Sequence, residues 1–325
     1  MIRNFVLRDL PTLNRYRRRG QFLDTATAVT WGATVVPAGA LLTHLAPATG
    51  IFTYLSSPRE DSREIILAQL VHQQGANSAR FSFLAPESAL ESPDFNALVE
   101  YMSQQIGERG AHNLIAEVEE GSPMFESMRR IGFAVYARQR IWHLEIDPNG
   151  EDEATSWRPR LSQDEIPIRT LYNAIVPGLT QQVETPPWER QKGVAFRVDG
   201  EVRAYVDLQY GPRGILAHPY FHPDIEDLAE SLAELLVAIP NRRSRPIYMK
   251  VRTYQGWLEG PLEDQAATPG PRQAVMVKRL VVPIMQGLPE TAREIKGATT
   301  ANPTLPFARS FSSPENGGNG DGPLA

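Results

Sequence analysis

Cysteine is absent from the 325 residues. That excludes disulfide scaffolds, thiolate zinc sites, iron–sulfur clusters and cysteine nucleophiles together. Lysine is scarce: only four of the 33 basic residues, the first at Lys192. Codon bias accounts for such an arginine excess, and no function is read from it. No apolar run approaches the roughly 18 residues of a membrane-spanning helix. A positive balance is missing too, since the formal net charge is -5. No overall field therefore draws nucleic acid or anionic lipid, and neither is expected as a partner. Neither a phosphate loop of the GxxxxGK[ST] type nor a dinucleotide fingerprint occurs. His44, His72, His112 and His143 are scattered, with no nucleophile–histidine–acid set. His218 and His222 have a spacing that suits metal only on a helix, which Pro219 and Pro223 oppose, so no metal is expected.

What is present is ordinary soluble-protein composition: 42% hydrophobic and 22% charged residues, with a mean hydropathy of -0.32. Met1 to Leu10 carries charges and no apolar core, so a secretory signal is not expected and the chain reads as cytoplasmic. Residues 298–325 combine proline, glycine and polar residues too heavily to bury a core, and predict a disordered tail. Asp-Pro-Asn-Gly-Glu-Asp-Glu within 147–156 marks a linker. Two blocks remain, 1–146 and 157–297.

In the first block, a basic run before Gly20 suits a helix end. Ile51–Leu55 and Ile65–Val71 are short apolar runs, the second readable as strand or helix. Arg80–Leu84 alternates as a strand. Asp94 is a candidate N-cap for a helix carrying Phe95, Leu98, Met102 and Ile106, with Gly110 as its stop. Leu114–Val118 is strand-like. Ser122-Pro123 opens a short helix with Met124, Phe125, Met128 and Ile131 on its apolar face, and 133–146 alternates again.

The second block repeats the order. Asp199-Gly200 between 194–198 and 201–208 predicts a type I′ hairpin. Strands follow at 215–220 and 247–251, separated by a helix beginning near Asp224. A short helix lies within 256–265 and a last strand spans 275–284. Two halves with one element order imply duplication and an α/β or α+β class, with a mixed sheet flanked by helices in each half.

Leu114-Ile-Ala-Glu-Val118, then Phe125-Glu-Ser-Met-Arg-Arg-Ile-Gly-Phe133 and Tyr136, resembles the closing strand, helix and strand of GNAT (GCN5-related N-acetyltransferase) domains. The hairpin at 194–208 resembles the family's central segment. The resemblance spans most of 1–285 and implies two tandem GNAT-like domains, each with a mostly antiparallel mixed sheet.

That resemblance implies acetyl-CoA as co-substrate, its pyrophosphate held by a loop between a strand and a helix N-terminus. The corresponding segments are 84–94, with Leu84, Ala85, Ser92 and Asp94, and 216–224, with Leu216, Ala217 and His218. Neither contains the family's glycines, and Glu87, Glu91 and Asp94 would repel a phosphate. Where the family places a tyrosine acid, this chain has Met128. Tyr136 and Tyr254 are the substitute candidates, each also readable as a packed residue. Glu117, at a central strand end, is the candidate base, also readable as a solvated strand end. Two functions follow: transfer of an acyl group from acyl-CoA to an unidentified amine, or a non-catalytic GNAT-like binding or assembly protein that has lost the phosphate loop.

Overall fold

The computed structural model describes residues 1–45, 50–57, 65–145, 156–189 and 192–280. The expected tail lies outside them, as does the linker apart from Ser156. The first half runs β1 (Ile2–Asn4), α1 (Leu10–Tyr16), β2 (Gln21–Phe22), α2 (Thr25–Thr30), α3 (Val35–Leu45), β3 (Ile51–Ser56) and β4 (Ile66–Val71). It continues with β5 (Ser78–Ala85), α4 (Pro93–Gly107), β6 (Asn113–Glu119), α5 (Pro123–Arg130) and β7 (Ala134–Leu144). The second half opens with β8 (Trp157–Pro159), α6 (Glu165–Ile175), α7 (Gly178–Val183), β9 (Gly193–Val198) and β10 (Glu201–Tyr210). It closes with β11 (Ile215–Phe221), α8 (Leu228–Ala238), β12 (Ile247–Arg252), α9 (Glu259–Asp264) and β13 (Thr268–Arg279). No helix among the described residues is long and apolar enough to cross a membrane.

Both halves build one mixed, mostly antiparallel sheet, ordered β1-β3-β4-β5-β6-β13-β7-β12-β11-β10-β9-β8, with β2 beside β5. The halves meet by exchange. β13, the last strand of the second half, lies between β6 and β7, while β7 pairs with β12 of the second half. All three pairings are antiparallel. Each half thus completes its sheet with the other's final strand.

Period-two alternation sends the apolar residues of each strand to one face. There Ala79, Phe81, Leu114, Ala116 and Met276 pack with Phe95, Leu98 and Met102 of α4 and Met124 and Met128 of α5. In the second half Ile215, Ala217, Met249 and Trp142 pack with Leu232, Leu235 and Leu236 of α8. The opposite face carries three smaller apolar cores, one under α1 and α3, one under α6, and between them a small one of Ile115, Val183, Val275 and Val277. Beside that central core the face also holds buried charged side chains, Glu117 and Lys250 among them.

Local chemistry sets the element ends. Ser122 accepts from the Phe125 amide at 3.1 Å and Pro123 follows, so α5 starts where the sequence predicts. Asp199 and Gly200 both take positive φ, as the hairpin requires. Three boundaries differ. The cap of α4 is Ser92, whose Oγ accepts from the Asp94 amide at 3.2 Å, because Pro93 takes the first helical position. α8 begins at Leu228, after the left-handed Asp227, since 222–227 is occupied by turns behind Pro223. β13 begins at Thr268, earlier than the apolar run, because Thr268 and Pro269 register against His143 and Trp142 of β7.

Candidate functional site

In both halves two parallel strands pair briefly and then part. β5 and β6 match only from Ser78↔Asn113 to Arg80↔Ile115, and β11 and β12 only from Ile215↔Ile247 to Ala217↔Met249. Beyond those residues, strand edges facing an opening would carry unpaired N–H and C=O groups, which must find partners.

In the first half the chain itself supplies them. β2 pairs with β5 through Gln21↔Leu84 and Phe22↔Phe83. The Leu23 amide donates to the Ser82 carbonyl at 3.0 Å, and the Glu117 amide donates to the Leu23 carbonyl at 2.8 Å. Residues 21–23 therefore stitch β5 to β6. Gly20 allows this approach, since a Cβ there would fall 2.2 Å from the Leu84 carbonyl oxygen.

In the second half a side chain does the equivalent work. Gln255, fully buried in the turn after β12, accepts from the Phe221 amide at 3.0 Å and donates to the Pro219 carbonyl at 2.8 Å. Its carboxamide acts as a stand-in peptide group along β11.

Behind these openings, on the face of the three smaller cores, lies a buried charge cluster. Glu117 Oε1 accepts from Lys250 Nζ at 2.8 Å and Arg80 Nη1 at 3.3 Å, and Oε2 accepts from the Thr25 amide at 2.9 Å. Lys250 is on β12, three strand spacings or roughly 14 Å from β6. The two extended side chains meet across the intervening β13 and β7. Arg80 also reaches Asp24 Oδ1 at 3.2 Å. Arg252, wholly buried, is paired with Glu184, whose Oε1 also accepts the Tyr136 hydroxyl at 2.6 Å. Burial opposes the charge of Glu117, but Lys250, Arg80 and Arg252 outweigh it and hold the carboxyl well below its usual range. Burial lowers Lys250, with Glu117 acting against that fall. Burial, reinforced by Glu184, raises the Tyr136 phenol well above its usual value.

The three residues singled out as acid or base candidates thus border one cluster. Glu117 is at its centre. Tyr136 and Arg252 share Glu184, and Tyr254 follows β12 by two residues, its buried hydroxyl without a hydrogen-bond partner among the described residues. Burial pushes that phenol up as well. The phosphate-loop candidates sit elsewhere. Leu84 and Ala85 are buried in β5, paired with β4, and Ser92 caps α4 beside the buried Asp94. Leu216 and Ala217 lie in the paired part of β11. His218 faces the polar cluster, its Nδ1 3.2 Å from the Tyr220 hydroxyl.

Lys250, Arg252, Arg80 and Glu184 are cluster members that the sequence reading missed. One signal was available: on alternating strands, Arg80 and Lys250 occupy positions of opposite parity to their apolar neighbours, on the face that Glu117 shares.

The cluster floors a cavity of about 370 Å³ lined by both halves. Asp24, Thr27, Trp31, Val71, Ala76 and Arg80 come from the first, Thr185 and Gln209 from the second. A second, much smaller cavity of about 10 Å³ shares Ala26, Arg80, Thr185 and Gln209 with the first and is also lined by Lys250, His218, Tyr220 and Glu184, with room for no more than one water.

Among solved structures, the chain is similar to a GCN5-related N-acetyltransferase from Sphaerobacter thermophilus. The identity is 12% over 86% of this chain and 95% of that one, with a TM-score of 0.50. It is also similar to a tandem GNAT protein from the clavulanic acid biosynthesis pathway, with 15% identity, 86% and 98% coverage and a TM-score of 0.48. An acetyltransferase of the GNAT family from Colwellia psychrerythraea gives 12%, 86% and 99%, and 0.43. No protein-family profile and no curated protein sequence matches the chain. The first likeness shows the fold, which is that of the GCN5-related N-acetyltransferases.

Proposed function

We propose that this chain is a GNAT-fold ligand-binding protein in which neither strand opening receives acyl-CoA. One observation carries the reading: both openings are closed by hydrogen bonds from the chain itself, main chain at 21–23 and the Gln255 carboxamide. The residues do not fit the acetyl-CoA that the fold implies. An extended cofactor arm would need backbone groups on the parting strands, and those of Ser82, Glu117, Pro219 and Phe221 are taken. Pro219 has no N–H to offer in any case. At the start of α4, Ser92 meets the Asp94 amide, and Glu87 follows the strand where a phosphate would need positive charge.

A second reading is acyl transfer from acetyl-CoA to an amine, and a specific observation favours it. Glu117, Tyr136 and Tyr254 border a single cluster beside a cavity. In that reading Glu117 takes the amine proton and a tyrosine returns one to the leaving thiolate. Glu117 would first have to give up three donors and Tyr136 its bond to Glu184.

Calorimetric titration of acetyl-CoA into the full-length protein separates the two readings. No heat is the expected result. Measurable binding, or release of free CoA thiol with a panel of amines, overturns the proposal in favour of transfer.

A further inference from the structure

Formal charge in the buried cluster is balanced, because Asp24, Glu117 and Glu184 face Arg80, Lys250 and Arg252. The hydrogen bonds are not balanced. Glu117 takes three donors, and Asp24 takes the Thr27 amide at 3.1 Å, the Thr27 hydroxyl at 2.6 Å and Arg80. On the donor side much is unused. Arg80 donates through Nη1 alone, its Nε and Nη2 meeting no acceptor among the described residues. Lys250 donates once, to Glu117. Arg252 Nε and Nη1 are buried without an acceptor among the described residues. Each buried donor left unpaired costs about 1–3 kcal/mol. A site with this surplus favours an incoming oxygen.

Arg80 is where the surplus meets the cavity. Its side chain is 22% exposed, against 5% for Asp24 and 1% for Glu117, so the acids are withdrawn and the guanidinium edge is presented. A planar edge with two spare N–H directions matches a carboxylate bidentately. The remaining wall is mainly neutral: Thr27, Gln73, Gln209 and Thr185, with Val71, Ala76 and the indole of Trp31, which is 47% exposed. The cavity volume, about 370 Å³, lies within the range of roughly 300–1,000 Å³ that small-molecule sites occupy.

We propose that this cavity binds a small organic carboxylate with a flat apolar body, the carboxylate on Arg80 and the body against Trp31. The inference rests on the ligand-binding reading above and gives it a ligand class.

The test uses the full-length protein and three probes: indole-3-acetate, its neutral isostere indole-3-acetamide, and acetate. Indole-3-acetate is expected to bind by calorimetry, with the amide weaker by about tenfold or more. Acetate, lacking the body, is expected to be weaker than indole-3-acetate. Substitution of Arg80 would leave the buried Asp24 without its cation and Glu117 with Lys250 alone, and risks the fold, so two wall variants are used instead. Gln209→Glu, which adds a carboxylate to the wall, is expected to weaken the acid by about tenfold and to spare the amide. Trp31→Ala is expected to weaken the acid by removing the apolar surface its body rests on. Equal binding of acid and amide, or indifference of the acid to both variants, overturns the site. If indole-3-acetate and acetyl-CoA are both silent, the carboxylate class fails while the closed openings stand. Heat from acetyl-CoA instead overturns the reading beneath it.

Discussion

The two halves close the same kind of opening by different means. The first uses backbone: three residues form a short additional strand, anchored on both sides and held by a glycine contact. The second uses one side chain whose amide imitates a peptide group. Backbone closure is tied to the path between α1 and α2 and involves many atoms. Side-chain closure depends on a single residue and is reversible by one substitution. The first half is therefore sealed by its fold and the second by its sequence.

Four experiments test this contrast. The largest effect is expected from Glu117→Ala, which leaves Arg80 and Lys250 buried without their shared partner and removes an anchor of Thr25. A loss of about 3–5 kcal/mol in chemical denaturation is expected. A loss below about 1 kcal/mol would show that the cluster does not tie the closing segment to the second half. Next is Gly20→Val, whose side chain meets the Leu84 carbonyl and the Phe83 ring. It is expected to cost about 1–3 kcal/mol and to speed amide exchange at Leu23 and Glu117 while sparing Phe221. Equal acceleration at Phe221 would mean that the openings are not independent.

Gln255→Ala is expected to cost about 1–3 kcal/mol by leaving the Phe221 amide and Pro219 carbonyl unpaired. No acetyl-CoA binding is expected to return with it, because Pro219 has no N–H and no glycine loop follows β11. Calorimetry on this variant checks that, and binding here with none in Gly20→Val would make the second half the one nearer to an acyltransferase. The smallest effect near neutrality comes from pH. Glu117 has a folded value well below the ordinary 4.5, so the unfolded chain binds more protons between the two values and stability rises with pH there. Its contribution is complete above the usual carboxylate range and is lost as pH falls through the folded value. A flat stability from pH 7 to about 5 and a steep acid limb are expected, less steep in Glu117→Gln. A decline beginning near pH 6 would contradict the assignment.

Much of the fold was legible because its signals are local. The Asp199-Gly200 turn, the Ser122-Pro123 cap and the alternation of 80–84 and 114–118 each occupy a few residues and match the structure. The closing segment was not legible. Gln21-Phe-Leu has no strand signal of its own, and it pairs only because β5 and β6, distant in sequence, part beside it. The last strand was placed on the apolar run 275–284, of which 281–284 lie outside the described residues; β13 begins earlier, at Thr268, because the register shift between Pro269 and Arg272 absorbs Pro269, Gly270 and Pro271 within the strand. The buried cations were read as the polar positions of alternating strands. Alternation fixes which face a residue takes, and only tertiary structure decides whether that face meets water. Glu117, Tyr136 and Tyr254 were named individually, while their common boundary on one cluster depends on the exchanged strands.

That exchange has a consequence for how the protein comes into being. As the chain is synthesised, Asn113–Glu119 emerges well before Thr268–Arg279, the strand that covers its edge. Among the described residues, Ala134–Leu144 pairs only with second-half strands. A nascent first half therefore waits on the ribosome with an open β edge, the feature through which unfinished sheets associate with one another. Separate expression of 1–146 should yield aggregates, and co-expression with the second half should rescue solubility. The gene is in this sense indivisible: neither half can complete its sheet until the last strand has been made.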